Sequence, residues 1–305
     1  EILARKIVTK FKNMRNIVFA LVFITYFGSM IMANDMALIT FLPLGYFVLS
    51  RTEKKDYMAF VFIMQNIAAN LGGMLTPFGN PQNLYLYSHY SIPNAEFLKI
   101  MFPPFAVALV LIVACCLFVK KESAEIKDDV FYTPDKPKTI IYLVLFALSV
   151  CSVLRVFPFY IGIGIATLGV LILDRKAFLT VNYPLLLTFC AFFVFSGNLS
   201  RIEAVHRLIG GLLEKNTLLV SVASCQIISN VPTATLLCRF TENYAPLLVG
   251  VNIGGLGTPI ASLASLITLG KFRSTGEKTG KYLLEFLLIN FSFLIVLVLF
   301  EMLVL

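Results

Sequence analysis

Two stretches interrupted by glycine and proline lie inside long apolar runs, and they match one another. Residues 70–84 read Asn-Leu-Gly-Gly-Met-Leu-Thr-Pro-Phe-Gly-Asn-Pro-Gln-Asn-Leu, and residues 252–266 read Asn-Ile-Gly-Gly-Leu-Gly-Thr-Pro-Ile-Ala-Ser-Leu-Ala-Ser-Leu. Without a gap, Asn70, Gly72, Gly73, Thr76, Pro77 and Leu84 pair with Asn252, Gly254, Gly255, Thr258, Pro259 and Leu266. Neither stretch suits a lipid-facing helix, because broken backbone exposes polar groups that hydrocarbon leaves unsatisfied. The surroundings are nonetheless those of a membrane. The chain is 58% hydrophobic and 14% charged, with a mean hydropathy of +0.86; a soluble domain is nearer ~45–50% and ~25%. The apolar runs are continuous and do not alternate, which argues against a β-barrel. The expected fold class is an all-α polytopic membrane protein. A pair of interrupted segments in corresponding halves marks a solute site built on inverted-topology repeats.

The order of segments supports such repeats. Residues 1–16 set Arg5, Lys6, Lys10, Lys12 and Arg15 among apolar positions, the pattern of a helix lying in the cytoplasmic interface. Residues 17–50 are apolar except for Asn34-Asp35. Two full spans need ~40 residues plus a loop, more than this stretch supplies. Basic residues flank it on both sides, with Lys12 and Arg15 before and Arg51, Lys54 and Lys55 after. A re-entrant helical hairpin with Asn34-Asp35 at its tip satisfies both facts. The first broken segment follows at 57–87, and a span returns at 101–119. Residues 120–138 are a polar linker. Spans at 139–155, 157–173 and 184–199 precede a second amphipathic helix at 200–215. A second hairpin covers 217–246 with Ser229-Asn230 at its tip. The second broken segment runs over 247–270 and a last span over 282–305. The predicted organisation is a first repeat at 1–119, a cytoplasmic linker at 120–138 and a second repeat at 139–305. Only the second repeat has three spans before its amphipathic helix, so up to three further helices are expected ahead of Glu1.

Charge fixes the orientation. Most of the 25 Lys and Arg residues fall before residue 17, at 51–55, at 120–138, at 175–176 and at 271–281. All of these segments are cytoplasmic if both hairpins are re-entrant, as the positive-inside rule requires. The same rule accounts for the net charge of +8 without a nucleic-acid partner. The six cysteines (Cys115, Cys116, Cys151, Cys190, Cys225, Cys238) form no CxxC pair and lie mainly in apolar runs. They read as buried small hydrophobes. A thiophilic solute at the vicinal Cys115–Cys116 is the weaker alternative. His89 and His206 have no partner at metal or catalytic spacing.

The repeated stretches carry the chemistry. Thr76, Asn230 and Thr258 precede Pro77, Pro232 and Pro259 closely, and are candidate caps of half-helices that start within the membrane. A half-helix N-terminus presents free N–H groups and attracts an anion. The unwound carbonyls at Gly72-Gly73 and Gly254-Gly255 suit a cation. Amides and hydroxyls of Asn70, Asn80, Asn83, Asn252, Ser262 and Ser265 complete a neutral cage. Close helix packing explains a Gly-Gly pair by itself; it does not explain the recurrence of Asn-x-Gly-Gly-x-x-Thr-Pro. Asp35 is the one carboxylate at a predicted mid-membrane position. There it needs a proton, a cation or a partner, and a proton-coupling role is weighed against a cap on the N–H of Ala37 or Leu38.

Ala-Asn-Asp-Met-Ala at 33–37, the 70–83 stretch, Ser-Asn-Val-Pro at 229–232 and Asn-Ile-Gly-Gly-Leu-Gly-Thr at 252–258 resemble the ion transporter superfamily. That group holds arsenite permeases, one type of sodium/proton antiporter, and citrate and dicarboxylate carriers. The resemblance covers nearly the whole chain. It implies a scaffold, a mobile transport domain, elevator-type alternating access and a homodimer. The hairpin-tip motif falls on Asn34-Asp35 and Ser229-Asn230, and the unwound-helix motif on Asn70–Thr76 and Asn252–Thr258. The tips depart from the paired Ser-Asn-Thr of sodium-coupled dicarboxylate carriers. The Asn-Asp tip is more similar to the arsenite-permease and antiporter branches.

The resulting expectation is a secondary transporter of a small anionic or neutral oxyacid in the bilayer of a bacterial inner membrane. Its substrate would be arsenite-, citrate- or inorganic-anion-like, with H+ or Na+ as coupling ion and no other cofactor or metal. Substrate contacts are assigned to Asn34, Asn70, Gly72, Gly73, Thr76, Asn80, Asn83, Ser229, Asn230, Thr233, Asn252, Gly254, Gly255, Thr258 and Ser262, and ion coupling to Asp35. The alternative is a Na+/H+ antiporter that uses Asp35. No HExxH, Ser/His pairing or carboxylate chain points to an enzyme.

Overall fold

The structure is a computed structural model that describes residues 7–8, 10–124, 136–181 and 183–304. Much of the expected interfacial helix at 1–16, and most of the linker at 120–138, lie outside these. The described residues form 13 α-helices and no β-strand, with one isolated bridge between Asn13 and Ser123. Five helical stretches are long and apolar enough to cross a membrane: Met14–Ile31, Lys55–Leu75, Asn94–Leu117, Glu203–Ile228 and Thr279–Val304. Two compact units result, one of Glu1–Val130 with Ser196–Leu305 and one of Phe131–Phe195.

The first unit is built around α3 (Met58–Gly72). All but two of its 15 residues are buried, including the polar Gln65, Asn66 and Asn70. Around it pack α1 (Met14–Ile31), α2 (Asn34–Arg51) and α5 (Asn94–Leu117). The side chain of Asn13 accepts from the N–H of Asn16 and starts α1. Met32 and Ala33 turn the chain, and α2 packs back along α1. Asn34-Asp35, expected at the tip, form the first turn of α2 directly after it.

The base of this α1–α2 pair is stitched to the segment that leaves α5. The N–H of Met14 donates to Glu122 O at 2.8 Å, and that of Ala124 to Lys12 O at 3.2 Å. Arg15 Nε donates to Val119 O at 2.7 Å. From the other arm, Lys54 Nζ lies 2.7 Å from Glu122 Oε2, and Tyr57 OH donates to Glu122 Oε1 at 3.2 Å. The hydrogen bond and charge of Lys54 hold the Glu122 carboxyl below its usual range. Both ends of the pair therefore meet the C-terminal end of α5.

The chain breaks after α3 and resumes as α4 (Pro81–His89). The other half of the unit repeats this order. α9 (Glu203–Ile228) contains one non-helical residue, Asn216, at φ −163° and ψ 94°. Its side chain accepts from the N–H of Leu219 at 2.8 Å and starts a new helical segment there. The break separates the amphipathic part of α9 from the arm leading to Ser229. α10 (Asn230–Leu237) returns, α11 (Tyr244–Ile253) ends in a second break, α12 (Leu263–Arg273) continues, and α13 (Thr279–Val304) closes the chain. The base of the α9–α10 pair is held at the N-terminal end of α5. Tyr90 OH donates to Cys238 O at 3.2 Å and Thr241 O at 2.6 Å, and Tyr244 OH donates to Glu96. The two helix pairs thus approach from opposite ends of α5, which is 24 residues or ~36 Å long.

Gly72 lets α3 and α1 meet. A Cβ there would collide with the backbone carbonyl of Tyr26 and with Ser29 Oγ. Tyr26 fills the seam beyond, its ring stacked on Phe105 and its hydroxyl donating to Phe105 O at 2.9 Å.

The second unit holds α6 (Lys136–Val153), α7 (Phe159–Leu173) and most of α8 (Tyr183–Leu199). α6 and α7 pack on each other, with Gly162 against Ser152 and Gly169 against Leu145. Large apolar side chains such as Ile172 and Leu187 face outward, as a bilayer environment requires.

Candidate functional site

Each break sits beside the tip of the helix pair from its own half. After α3, Gly73–Leu75 form one 3-10 turn, and Asn80 leads into α4 with Pro81 at its first position. Proline is favoured there because its missing N–H has no helical acceptor anyway. The half-helix was expected to start at Pro77; it starts at Pro81 because Pro77 lies in the preceding turn. The loose carbonyls are collected by Asn83, whose Nδ2 donates to Gly73 O, Met74 O and Thr76 O at 3.3, 3.1 and 3.1 Å. Two bonds fasten the tip. Thr76 Oγ donates to Met30 O at 2.7 Å, and the N–H of Asn34 donates to Gly79 O at 3.0 Å.

The second break is fastened by different chemistry at matching positions. Gln226, four residues before Asn230, donates from Nε2 to Gly254 O and Leu256 O, both at 2.9 Å. Its Oε1 accepts from the N–H of Thr258 at 2.9 Å, and its carbonyl accepts from Thr258 Oγ at 3.3 Å. Met30, four residues before Asn34, receives the matching bond from Thr76. Ser229 Oγ donates to Ala261 O at 3.3 Å. Gly257 adopts φ +99°, a conformation open to glycine, as Gln226 approaches it closely. Ser229 holds φ +72° without being glycine, a strained tip residue. The hydroxyls of Thr76 and Thr258 therefore tie the tips and do not cap half-helices. The cap of α12 is Ser262, which accepts from the N–H of Ala264.

The two breaks then exchange bonds. Asn80 Nδ2 donates to Asn252 Oδ1 at 2.9 Å, and Ser262 Oγ donates to Asn70 Oδ1 at 2.9 Å. Asn80 matches Ser262, and Asn70 matches Asn252, so each half makes the same crossing. Asn252 Nδ2 also donates to Asn83 Oδ1 at 2.6 Å, and Asn34 Nδ2 to Asn70 Oδ1 at 3.2 Å. At both tips the asparagine Oδ1 accepts the next backbone N–H at 2.9 Å, from Asp35 and from Val231. Gly255 leaves room for Asn230, whose Nδ2 would stand 2.9 Å from a Cβ there.

Asn34, Asn70, Asn80, Asn83, Asn230, Asn252 and Ser262 are thus brought together and buried. Gly72 and Gly254 serve close packing, with Gly254 against Cys225 as Gly72 is against Ser29. Thr233 turns back to donate to Ser229 O and does not enter the cage. Asp35 lies beside the cage. Its carboxylate makes no side-chain hydrogen bond or ion pair with another described residue, and the N–H of Ala37 bonds to Ala33 O, so no Asp35 cap on Ala37 forms. Two acceptor oxygens in the cage, Asn80 Oδ1 and Gln82 Oε1, are buried without a partner. No described cluster of His, Cys, Asp or Glu has the makings of a metal site.

Sequence reasoning missed Gln226, Asn66 and Thr268. Asn66 joins α3 to α12, donating to Ser265 Oγ at 3.3 Å and accepting from Thr268 Oγ at 3.4 Å. Asn66 lies one helical turn before Asn70, and that spacing was the available signal. Gln226 had only its polarity in an apolar arm to betray it.

A family profile described as citrate transporter matches residues 1–248. The chain belongs to that family. It is 38% identical over 291 residues to uncharacterized transporter MJ0456 of Methanocaldococcus jannaschii, covering 94% of this chain and 79% of that protein. It is 29% identical over 274 residues to inner membrane protein YbiR of Escherichia coli, covering 88% and 73%. These likenesses agree with the ion transporter superfamily read from the motifs. As a member of the citrate transporter family with five span-length apolar helices, the protein is an integral, multi-pass membrane transporter of a small molecule, working in a lipid bilayer.

Proposed function

We propose that the protein is a secondary active carrier of a small anion or oxyacid, arsenite-, citrate- or inorganic-anion-like, driven by protons or sodium ions. The observation that carries the reading is the reciprocal crossing of the breaks, Asn80 to Asn252 and Ser262 to Asn70. Solute held there touches both halves at once. In this reading the α1–α2 and α9–α10 pairs are re-entrant hairpins of an inverted-topology repeat, since their bases lie at opposite ends of α5 and their tips meet the breaks. Four helices begin at this point (α2, α4, α10 and α12), and their N–H ends favour an anion.

Every assigned residue falls in the first unit and none in Phe131–Phe195. That supports elevator-type movement, in which the unit carrying the site shifts as a body. The carrier in this reading is a homodimer in a bacterial inner membrane. Asp35 is the coupling group. Its carboxylate takes up a proton as the anion binds and gives that proton up on the other side, so that proton and anion reinforce each other.

The test is uptake into proteoliposomes over a panel of arsenite, citrate, phosphate and sulfate, with imposed pH or sodium gradients. Accumulation of one solute should follow the gradient, and Asp35→Asn should abolish the pH-driven part. Coupling left intact by that change would remove Asp35 from the mechanism. The partnerless Asn80 Oδ1 and Gln82 Oε1 favour a second reading, a Na+/H+ antiporter, because amide oxygens suit a hard cation. Proton flux driven by sodium with no anion present would select it.

A further inference from the structure

The seam between α2 and α12 holds an open groove of about 380 Å³, within the ~300–1,000 Å³ usual for small-molecule pockets. Its walls are apolar. Leu38, Ile39 and Leu42 come from α2, and Ile267 from α12. Gly270 leaves one wall open, since a Cβ there would meet nothing within 4 Å. Ile39 is 52% exposed.

The two ends differ. Leu38 is one helical turn from Asn34, so the inner end lies just short of the cage. The outer end is marked by Lys271 and Ser274. Ser274 Oγ donates to Lys271 O at 2.7 Å, so its proton is committed and Lys271 supplies the charge. The Lys271 ammonium lies 5.8 Å from the Tyr46 ring centroid. Arg273 and Lys278 follow in the same basic segment, against the single acid Glu277; Lys281 is paired with Glu285 at 3.6 Å. An apolar slot that ends at a cation does not suit a small hydrophilic ion along its length. It suits an amphiphile with an apolar tail and an anionic head.

We propose that this groove binds one acyl chain of an anionic phospholipid, with Lys271 facing the phosphate. Aliphatic walls take the chain and the charge at the mouth selects the head. A bound lipid would line the returning arm of the first helix pair and α12 together. The proposal is independent of which solute is carried.

The chain contains no Trp, so one introduced Trp is a unique reporter. The whole protein carrying Ile39→Trp is placed in vesicles of mid-chain-brominated phosphatidylglycerol or phosphatidylcholine, mixed with the unbrominated other lipid. Quenching should show a roughly fivefold preference for phosphatidylglycerol, the factor one basic residue supplies near an anionic lipid surface. The preference should vanish when Lys271→Gln is added. Phe102→Trp, at an exposed position of α5 outside the groove, should be quenched equally by both lipids. If Ile39→Trp does not fold, Ile267→Trp reads the same groove. Equal quenching at the groove position, or a preference that survives Lys271→Gln, overturns the proposal. So does an absence of quenching by either lipid, which would mean that protein, such as a second copy, covers the groove. Loss of the preference on adding inorganic phosphate would make the mouth a phosphate site, and also overturns it.

Discussion

Gln226 shows how much one side chain can hold. It satisfies two carbonyls and one N–H of the second break. Replacing it by Leu leaves three polar groups without partners, each costing ~1–3 kcal/mol, not fully additively. Gln226→Leu should therefore destabilise the folded protein by about 3 kcal/mol, seen as a lower thermal midpoint of the purified protein. Met30→Leu at the matching position should cost under ~1.5 kcal/mol, because Met30 receives Thr76 through its backbone carbonyl. Equal losses in the two variants would show that side-chain bonding is not what secures the second break. The asparagines were legible in the sequence because polar residues beside Gly-Gly inside an apolar run have no structural excuse. Gln226 was not, because its partners are backbone groups of a segment far along the chain. The fate of the threonine hydroxyls was hidden for the same reason.

At the scale of elements, the breaks follow from local chemistry and their packing from contacts. Gly72→Ala puts a methyl against the Tyr26 carbonyl, and backbone yields less readily than a side chain. The substitution should cost ~3 kcal/mol, the upper end of the range for overpacking, and separate α3 from α1. In α7 nothing lies within 4 Å of a Cβ on Gly164. Gly164→Ala should raise stability by up to ~1 kcal/mol through helix propensity alone. Chemical denaturation of both variants checks the pair, and a neutral Gly72→Ala would refute the close approach. Sequence patterning placed both breaks and both turns within a few residues, since Gly, Pro and Asn punctuate helices strongly. It misjudged the start of α4 because Pro77 and Pro81 compete. Asn80 is extended at φ −136° and ψ 142° and leads directly into α4, whereas Asn83 has already captured the carbonyls around Pro77.

For the whole molecule, the division into units cuts across the order of the sequence. The unit with the cage joins the beginning and end of the chain, and the other is an internal segment. Patterning reads order along the chain and charge on each side of a membrane, so it could propose topology. It has no access to which helices from distant segments pack into one body. If the cage is the solute site, adding a transported solute should slow amide exchange at 73–80 and 254–262 while leaving 141–153 and 159–173 unchanged. Hydrogen–deuterium exchange by mass spectrometry reads this directly. Equal protection in the internal segment would mean that solute contacts reach beyond the first unit.

The two tips are fastened by different materials. At the first tip the partners are main-chain atoms of Met30, Asn34 and Gly79, and only the Thr76 hydroxyl comes from a side chain. At the second tip most of the hold resides in the amide of Gln226. One codon can shorten, remove or charge that fastening while the cage of asparagines stays as it is. The second tip is therefore where a single side chain offers the readiest means of retuning the grip on solute over evolutionary time.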